Sequence, residues 1–258
     1  MPTLNVTIIQ SSLHWHDAEK NRAMFSEKID SIAESTDLII LPEMFTTGFS
    51  MDAPNLAEPM DGESVSWMQD MAQARNASIC GSLIISESDK YYNRFFCVNA
   101  DGSMTTYDKR HLFRLADEQN HYAQGNDIVT FEINGFRICP MVCYDLRFPV
   151  WSRNRGSYDV LIYVANWPSR RHHAWETLLR ARAIENLSFN IGVNRVGTDG
   201  NELPYSGGSA IIDYLGDYLA DLGDTEGSAT ATLDLDALRK FRDRFAFHKD
   251  ADEFKLEI

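Results

Sequence analysis

Three short segments of the sequence each place a reactive side chain where a predicted strand ends. The segments are LPEMF, which contains Glu43, YDKRHLF, which contains Lys109, and VCYDLRFP, which contains Cys143. Glu43 would lie just past a buried strand, where partial loss of water makes a carboxylate a better general base. Lys109 could supply a fixed cation beside a developing negative charge, and Cys143 a nucleophile exposed at a strand-to-helix turn. Together these groups suit acyl transfer by covalent catalysis.

Each of these residues also has an ordinary structural explanation. Most carboxylates and most adjacent lysine–arginine pairs lie on solvated surfaces, so Glu43 and Lys109 could simply be exposed. Free cysteine is among the most buried residue types, so Cys143 could be a packing residue, which is the better explanation for the other three cysteines. The joint occurrence of the three side chains in a fixed order favours the catalytic interpretation.

The elements that would position these side chains alternate between β-branched strands and amphipathic helices. Helices are predicted at residues 17–33, 63–75, 172–186 and 236–242. Strands are predicted at residues 4–10, 37–41, 78–85, 91–99, 104–108, 128–133, 136–142, 160–165, 190–196, 209–213, 218–222 and 228–233. The Asp101-Gly102 and Asn134-Gly135 turns mark two hairpins, and a further helix is expected to start near Pro149. This pattern predicts an α/β layered sandwich of two mixed sheets covered by helices.

The composition excludes several classes of protein. The chain has 258 residues with 38 Asp plus Glu against 24 Lys plus Arg, a formal charge of −14. Because a nucleic-acid binder needs extensive basic surface, and the only compact basic clusters are residues 109–111 and 170–173, we expect no nucleic-acid partner. No apolar run approaches the roughly 20 residues that cross a bilayer, and residues 1–10 lack signal-peptide features. We expect no membrane partner and a cytoplasmic location.

The four cysteines are spread across a large chain, which predicts reduced thiols in place of disulfides. Cys139 and Cys143 form a C-x3-C pair, but no second Cys/His pair with finger-like spacing follows, so a zinc site is not expected. We see no linker, repeat or low-complexity tract, and predict one domain over residues 1–258 with an extended acidic tail from about residue 244.

The three reactive segments resemble the Glu–Lys–Cys triad of the nitrilase superfamily of carbon–nitrogen hydrolases. The resemblance runs from about Leu4 to Leu233 and includes ANWP, LRARAIEN, NRVG and GGS. CYDLRFP together with ARAIEN most resembles the ω-amidase branch. The resemblance implies a four-layer α-β-β-α sandwich and a homodimer, with helices packed across a two-fold axis and the C-terminal segment reaching over the partner.

The same resemblance implies a mechanism on an amide substrate. Cys143 would attack the amide carbon, and Glu43 would take the thiol proton and deliver it to the departing ammonia. Lys109 and the backbone N–H of Tyr144 would hold the tetrahedral oxyanion. Water activated by Glu43 would then hydrolyse the acyl-thioester, and the scheme requires no metal or organic cofactor.

A fourth polar residue of the family is a glutamate in the loop after the lysine, seven positions before a glycine. Glu118 has that relation to Gly125. The loop is shorter and more polar than in many relatives, so Asp117 is the alternative. The second carboxylate would orient Lys109 or the substrate nitrogen.

The net charge of the protein indicates which residues could bind an anionic substrate. A protein of charge −14 that binds a small anion should supply local cations, and the basic residues near the site are Lys109, Arg110, Arg147, Arg170 and Arg171. Arg170 or Arg171 is the preferred anchor for a substrate carboxylate, although solvated helix-start residues explain them equally well.

Trp167 could wall the substrate pocket or pack in the core. His172 and His173 would suit a Cys–His dyad, but the resemblance assigns the base to glutamate, so they are expected at the surface or the entrance.

Three functions remain for test. The leading one is an ω-amidase acting on a small carboxylate such as a 2-oxo dicarboxylic acid monoamide. The second is another branch of the superfamily, such as an N-carbamoyl amino acid hydrolase or an aliphatic amidase. The third is a catalytically silent binding protein, which the presence of Glu43, Lys109 and Cys143 disfavours.

Overall fold

Two six-stranded sheets form the framework of the computed structural model, which describes residues 2–257. From edge to edge, the first sheet contains β14 (Gly227–Asp234), β1 (Thr3–Gln10), β2 (Leu38–Ile40), β3 (Ser78–Glu87), β4 (Lys90–Val98) and β5 (Met104–Asp108). The second contains β13 (Tyr218–Asp221), β12 (Ala210–Ile212), β9 (Phe189–Val193), β8 (Val160–Val164), β7 (Phe136–Val142) and β6 (Phe131–Ile133). A separate two-stranded ribbon pairs β10 (Val196–Thr198) with β11 (Pro204–Ser206).

Each sheet has a parallel centre and antiparallel edges, so both are mixed as the sequence predicts. In the first sheet β1, β2 and β3 are parallel neighbours, and in the second β7, β8 and β9 are. The remaining pairings are antiparallel. Because parallel strands end at the same edge of a sheet, the residues that follow them are brought together there.

Alternating side chains explain why the two sheets stack. In β1, Leu4, Val6 and Ile8 are fully buried in the core that contains residues of both sheets, while Ile9 belongs to a second core beneath the helices. Successive side chains of a strand point to opposite faces, so an unbroken apolar strand can be buried on both sides.

Three helices cover the outer faces of the two sheets: α1 (Ala18–Asp30), α3 (Glu63–Arg75) and α4 (His172–Asn186). The structure also contains the single turn α2 (Ala53–Leu56) and the C-terminal helix α5 (Leu235–Arg244). In the second core, Phe25 of α1 and Met68 of α3 pack with Ile9 of the first sheet. On the second sheet, Trp175 and Leu179 of α4 lie over Gly192 of β9. The four-layer α-β-β-α architecture is therefore confirmed.

The predicted strand at 190–196 is too long. Strand β9 ends at Val193, and the chain resumes pairing only in β10, within the separate ribbon. The reason is the side chain of Asn194, which accepts a hydrogen bond from the N–H of Trp167 and donates to the carbonyl of Gly207, and so takes the chain out of the sheet.

The predicted helix start near Pro149 is wrong. A 3-10 helix begins instead at Cys143 and ends at Arg147. The carboxylate of Asp145 accepts the N–H of Val142 at 3.0 Å, which closes this turn directly after β7.

The C-terminal tail lies on the chain's own surface. After α5 it contains a 3-10 turn at Phe247–Asp250 and no further helix or strand up to residue 257. Arg155 donates to the carbonyl of Phe254 at 3.1 Å, and its guanidinium stacks on the Phe254 ring. Within residues 2–257, no helix is long and apolar enough to cross a membrane.

Replacing Gly192 with alanine tests the close approach of α4 to β9. An added Cβ would lie 2.8 Å from a ring carbon of Trp175 and closer still to Leu179. Overpacking of this kind should lower the free energy of unfolding by about 1–3 kcal/mol in urea denaturation. Gly227→Ala is the matched control, because the nearest atom there, on Leu222, is 4.0 Å away and stability should stay within about 0.5 kcal/mol. Equal effects of the two substitutions would contradict the packing explanation.

Candidate active site

Glu43, Lys109 and Cys143 meet where the ends of the two sheets face each other. Glu43 follows β2 of the first sheet, Lys109 directly follows β5 of the same sheet, and Cys143 directly follows β7 of the second. The side chain of Lys109 bonds to Glu43, and the charges of both act on the thiol of Cys143. The three sequence-predicted residues therefore form one cluster although they lie far apart in the chain.

Glu43 is fully buried and all of its oxygens have partners. Oε1 accepts from Lys109 Nζ at 2.9 Å and from Asn93 Nδ2 at 2.7 Å, and Oε2 accepts from the N–H of Asn166 at 2.7 Å. The side-chain amide of Asn166 also donates to the Glu43 backbone carbonyl at 2.6 Å. Residues of both sheets thus fix the direction of this carboxylate.

Lys109 is fully buried between two carboxylates. Its Nζ lies 2.9 Å from Glu43 Oε1, and 2.9 and 3.0 Å from the two oxygens of Glu118. Burial by itself lowers the pKa of Lys109, but the charges of Glu118 and Glu43 outweigh it and raise the pKa above the usual range. The ammonium therefore stays protonated at neutral pH.

The structure places Glu118, and not Asp117, against the lysine. Glu118 is fully buried and also accepts the N–H of Phe113, whereas Asp117 is exposed and begins the short 3-10 helix Glu118–Asn120. Burial raises the pKa of Glu118, with the charge of Lys109 opposing the shift and that of Glu43 adding to it. The loop is held close because Gly125 donates its N–H to the Lys109 carbonyl at 3.0 Å.

Cys143 has a backbone conformation that few residues other than glycine adopt. Its φ is +45°, in the left-handed region, and its Sγ lies 4.0 Å from the carbonyl oxygen of Asn166. Burial raises the pKa of the Cys143 thiol well above its ordinary value, the charge of Glu43 raises it further, and Lys109 opposes both. The resting thiol is therefore protonated, and its reaction as a nucleophile needs a base.

The carboxylate of Asp145 joins the turn that carries the thiol to the segment that carries Lys109. It accepts from the N–H of Val142 at 3.0 Å, the hydroxyl of Tyr107 at 2.8 Å, and the N–H and Nδ1 of His111 at 2.9 and 2.7 Å. The Nδ1 bond requires the tautomer or protonation state in which that nitrogen carries hydrogen. Asp145 thereby fixes the spacing between the turn that carries Cys143 and the segment that carries Lys109.

A cavity of about 530 Å³ opens onto Cys143 and Lys109. Tyr144, next to the thiol in sequence, also lines it, at the start of a 3-10 helix whose first N–H groups have no partner within the helix. Aromatic side chains contribute much of the wall: Trp15, Phe49, Phe113, Trp167 and Tyr205.

Three arginines line the same cavity without an ion-pair partner among residues 2–257: Arg147, Arg170 and Arg171. Arg171 is half-buried over the Phe113 ring at 4.9 Å, and Arg147 stacks on Trp167 at 5.1 Å. Burial lowers the pKa of Arg171, and the nearby charges of Arg170 and Arg147 lower it further. An anion bound among them would relieve this repulsion.

The other charged groups near the cavity are already engaged. Asp199 accepts from the Tyr205 hydroxyl at 2.9 Å, and Asp52 accepts from a side-chain amide of the short helix α2 at 2.8 Å. Arg110, which the sequence grouped with the site, does not line this cavity and bonds instead to Gly125 and Asn126.

Trp167 is both a core residue and a wall residue. It is 3% exposed, its backbone N–H donates to the side-chain oxygen of Asn194 at 2.8 Å, and the residue lines the cavity. His172 and His173 do not line the cavity, and His172 lies 3.0 Å from Glu176 on the same helix. Within residues 2–257, no three His, Cys, Asp or Glu side chains are grouped to hold a metal ion.

Two asparagines at the site were not predicted as functional residues. Asn93 lies on β4 and Asn166 follows β8, and each donates a hydrogen bond of 2.7 Å to the Glu43 carboxylate. Asn166 lies in the ANWP segment that supports the resemblance, so a polar residue at the end of an apolar strand was its available signal. Asn93 had none, because an asparagine within a predicted hairpin strand does not stand out.

Comparison with known proteins gives a consistent result. Residues 5–243 match the family described as carbon-nitrogen hydrolase. The chain is 46% identical to Omega-amidase YafV of Escherichia coli, covering 99% of this chain and all of that protein. It is 32% identical to a 2-oxoglutaramate amidase of Bacillus subtilis, covering 95% and 96%. A crystal structure of a CN-hydrolase superfamily protein from Xanthomonas campestris, with an arsenic adduct in its active site, superposes with a TM-score of 0.97 at 45% identity over both full chains.

Alkylation of the thiols tests the electrostatics of this cluster. Native protein treated with iodoacetamide should be labelled at Cys143 alone by peptide mass spectrometry, because the other three cysteines are at most 1% exposed. Since the Cys143 pKa is raised, labelling should still accelerate between pH 8 and 10. Glu43→Gln should shift that acceleration to lower pH, because it removes a negative charge and leaves Lys109 beside the thiol.

Cys143→Ser is the control that should abolish native labelling. An unchanged pH dependence in Glu43→Gln would contradict the assigned cause of the shift.

Proposed function

Because the chain belongs to the carbon–nitrogen hydrolase family, we propose that it is an ω-amidase. Its substrate is a 2-oxo dicarboxylic acid monoamide, such as 2-oxoglutaramate or 2-oxosuccinamate, from whose terminal amide it releases ammonia. The full-length relatives named as ω-amidase and 2-oxoglutaramate amidase support this assignment. The observation that carries it is a buried acid–lysine–thiol cluster that opens onto a cavity lined by three unpaired arginines.

The first half of the reaction forms a thioester on Cys143. As Sγ bonds to the amide carbon, Glu43 takes the thiol proton and the carbonyl oxygen becomes an oxyanion. The positive charge of Lys109 and the backbone N–H of Tyr144 stabilise that oxyanion. Its collapse breaks the carbon–nitrogen bond, and Glu43 returns the proton to the leaving nitrogen, which departs as ammonia.

The second half of the reaction releases the acid. Water adds to the thioester carbon while Glu43 takes one of its protons, and the carbon–sulfur bond then breaks. The proton returns to the thiolate of Cys143, which restores the resting state. Glu118 takes part as the buried counter-charge that holds Lys109 in place, since its two oxygens lie 2.9 and 3.0 Å from Nζ.

The arginines supply the selectivity for an anionic substrate. Lys109 is committed to the cluster, so the substrate carboxylate falls to Arg170 or Arg171, with Arg147 adjacent. Arg171 is the favoured anchor, because its guanidinium is half-buried and held over Phe113, which makes its bond to a carboxylate stronger than one at an exposed site.

We further propose that residues 1–258 act as one catalytic domain, since both sheets contribute to the cluster. A homodimer is supported by four exposed apolar side chains, those of Ile184 on α4, Leu215 in the turn before β13, and Tyr218 and Leu219 on β13. Ile184 lies close to Gly216 of that turn. A cytoplasmic location is supported by four cysteines that are all free thiols.

Cys143→Ala should abolish ammonia release from 2-oxoglutaramate while leaving the melting temperature close to that of the wild type. The substitution removes the only nucleophile of the scheme at a half-buried turn, where the loss of one sulfur costs little stability. A coupled ammonia assay and mass spectrometry for an acyl adduct on the wild-type thiol measure the two parts of this claim. Cys139→Ala is the control and should retain turnover. Turnover comparable to the wild type in Cys143→Ala would contradict the covalent mechanism.

Charged and neutral amides of equal length should differ in kcat/KM by about ten- to a hundredfold in favour of the 2-oxo acid amide. This follows because a charge-assisted hydrogen bond contributes about 1.5–3 kcal/mol. Nitriles should not be hydrolysed. Arg171→Gln should reduce the preference for the charged amide, whereas Arg114→Gln, at an exposed position that does not line the cavity, should leave it unchanged. Equal rates on both amides in the wild type would favour an aliphatic amidase.

A further inference from the structure

Glu43 belongs to a closed ring of hydrogen bonds whose other members have no part in the reaction scheme above. Glu43 Oε1 accepts from Asn93 Nδ2 at 2.7 Å, and Asn93 Oδ1 accepts from the Ser82 hydroxyl at 2.9 Å. Ser82 Oγ in turn accepts the backbone N–H of Met44 at 2.9 Å. Since Met44 is the residue after Glu43, the ring begins and ends on the same segment of backbone.

The ring has one possible direction. The N–H of Met44 can only donate, so it occupies a lone pair of the Ser82 oxygen and leaves the hydroxyl hydrogen to donate to Asn93. Asn93 must therefore present its carbonyl oxygen to Ser82 and its NH₂ group to Glu43. An amide turned the other way would place its oxygen against a carboxylate and leave the Ser82 hydroxyl without an acceptor.

The charge balance of the cluster explains why an NH₂ group is needed there. One ammonium, on Lys109, faces the two carboxylates of Glu43 and Glu118, and all three side chains are fully buried. The Asn93 amide lies 2.7 Å from one carboxylate and 3.4 Å from the other, so it adds a donor directed at the uncompensated negative charge. It does so without adding a proton that could titrate.

We propose that Asn93, oriented by Ser82, is a positioning residue that keeps the Glu43 carboxylate aimed, ready to take the thiol proton. The inference rests on the proposed function, because it assigns Glu43 the part of the base. The ring also holds Met44 in its left-handed conformation, with φ of +43°, and so fixes the backbone from which the carboxylate extends.

The steady-state kinetics of Asn93→Ala and Ser82→Ala test the proposal. Asn93→Ala should lower kcat about ten- to a hundredfold with little change in KM, because the Glu43 carboxylate loses a bond that fixes its direction. Ser82→Ala should act in the same direction and more weakly, because Asn93 can then turn. In Asn93→Ala, the further change Ser82→Ala should lower kcat less than it does in the wild type, because only the bond to the Met44 N–H is then lost.

Ser78→Ala is the matched control. Ser78 is the first residue of β3, and its hydroxyl also donates to an asparagine oxygen, that of Asn99, at 2.7 Å. Ser78→Ala should lower the melting temperature about as much as Ser82→Ala and leave kcat and KM unchanged. An unchanged kcat in both ring variants, a rise in KM in place of a fall in kcat, or an equal Ser82→Ala effect with and without Asn93 would overturn the positioning role alone. Failure of the wild type to release ammonia from any amide would instead overturn the proposed function, and this role with it.

Discussion

The fully buried, protonated side chain of Lys109 is the group on which the arrangement of the surrounding residues depends. Removing an ammonium from water costs several kcal/mol, and the cost is recovered only where charges and donors of the right geometry surround it. Lys109 therefore requires Glu43 and Glu118, and the excess negative charge of that pair requires the amide of Asn93. The segment after β2 is buried, and the loop after β5 turns inward at Glu118, so that both deliver these partners to one point.

The turns that carry Cys143 and Glu43 each contain a residue with positive φ after a strand from the parallel part of a sheet. Cys143 itself directly follows β7, and Met44, the residue after Glu43, lies four residues beyond β2. Neither residue is glycine, so each turn needs bonds that hold it in place. Ser82 supplies one to Met44, and Asp145 closes the turn around Cys143. The thiol and the Glu43 carboxylate are thus held by similar hydrogen bonds in opposite sheets.

The sequence predicts the layers well because strands that are buried on both faces leave continuous apolar runs. Glu43, Lys109 and Cys143 could be found because each ends such a strand and because together they resemble a known family. Asn93 and Asn166 could not be assigned, since their contacts with Glu43 span 50 and 123 residues. The first depends on the pairing of strands within the first sheet, and the second on the docking of the two sheets. The prediction of a helix start near Pro149 was wrong because the carboxylate of Asp145 accepts the N–H of Val142. That bond closes a 3-10 helix directly after β7, which local sequence patterns did not indicate.

The bond between Asn166 and Glu43 has a consequence for the newly made chain. The carboxylate comes from the first sheet, whereas the thiol and the amide N–H come from the second, so neither half contains a working site. The closing strand β14 pairs with β1 at the opposite end of the sequence, a long-range pairing that forms slowly. During synthesis, a chain that has emerged only as far as β5 lacks Cys143 and Asn166, and one that has reached β9 still lacks β14, the edge strand of its first sheet. We therefore expect the cluster of Glu43, Lys109 and Cys143 to form late in folding, after the two sheets have docked.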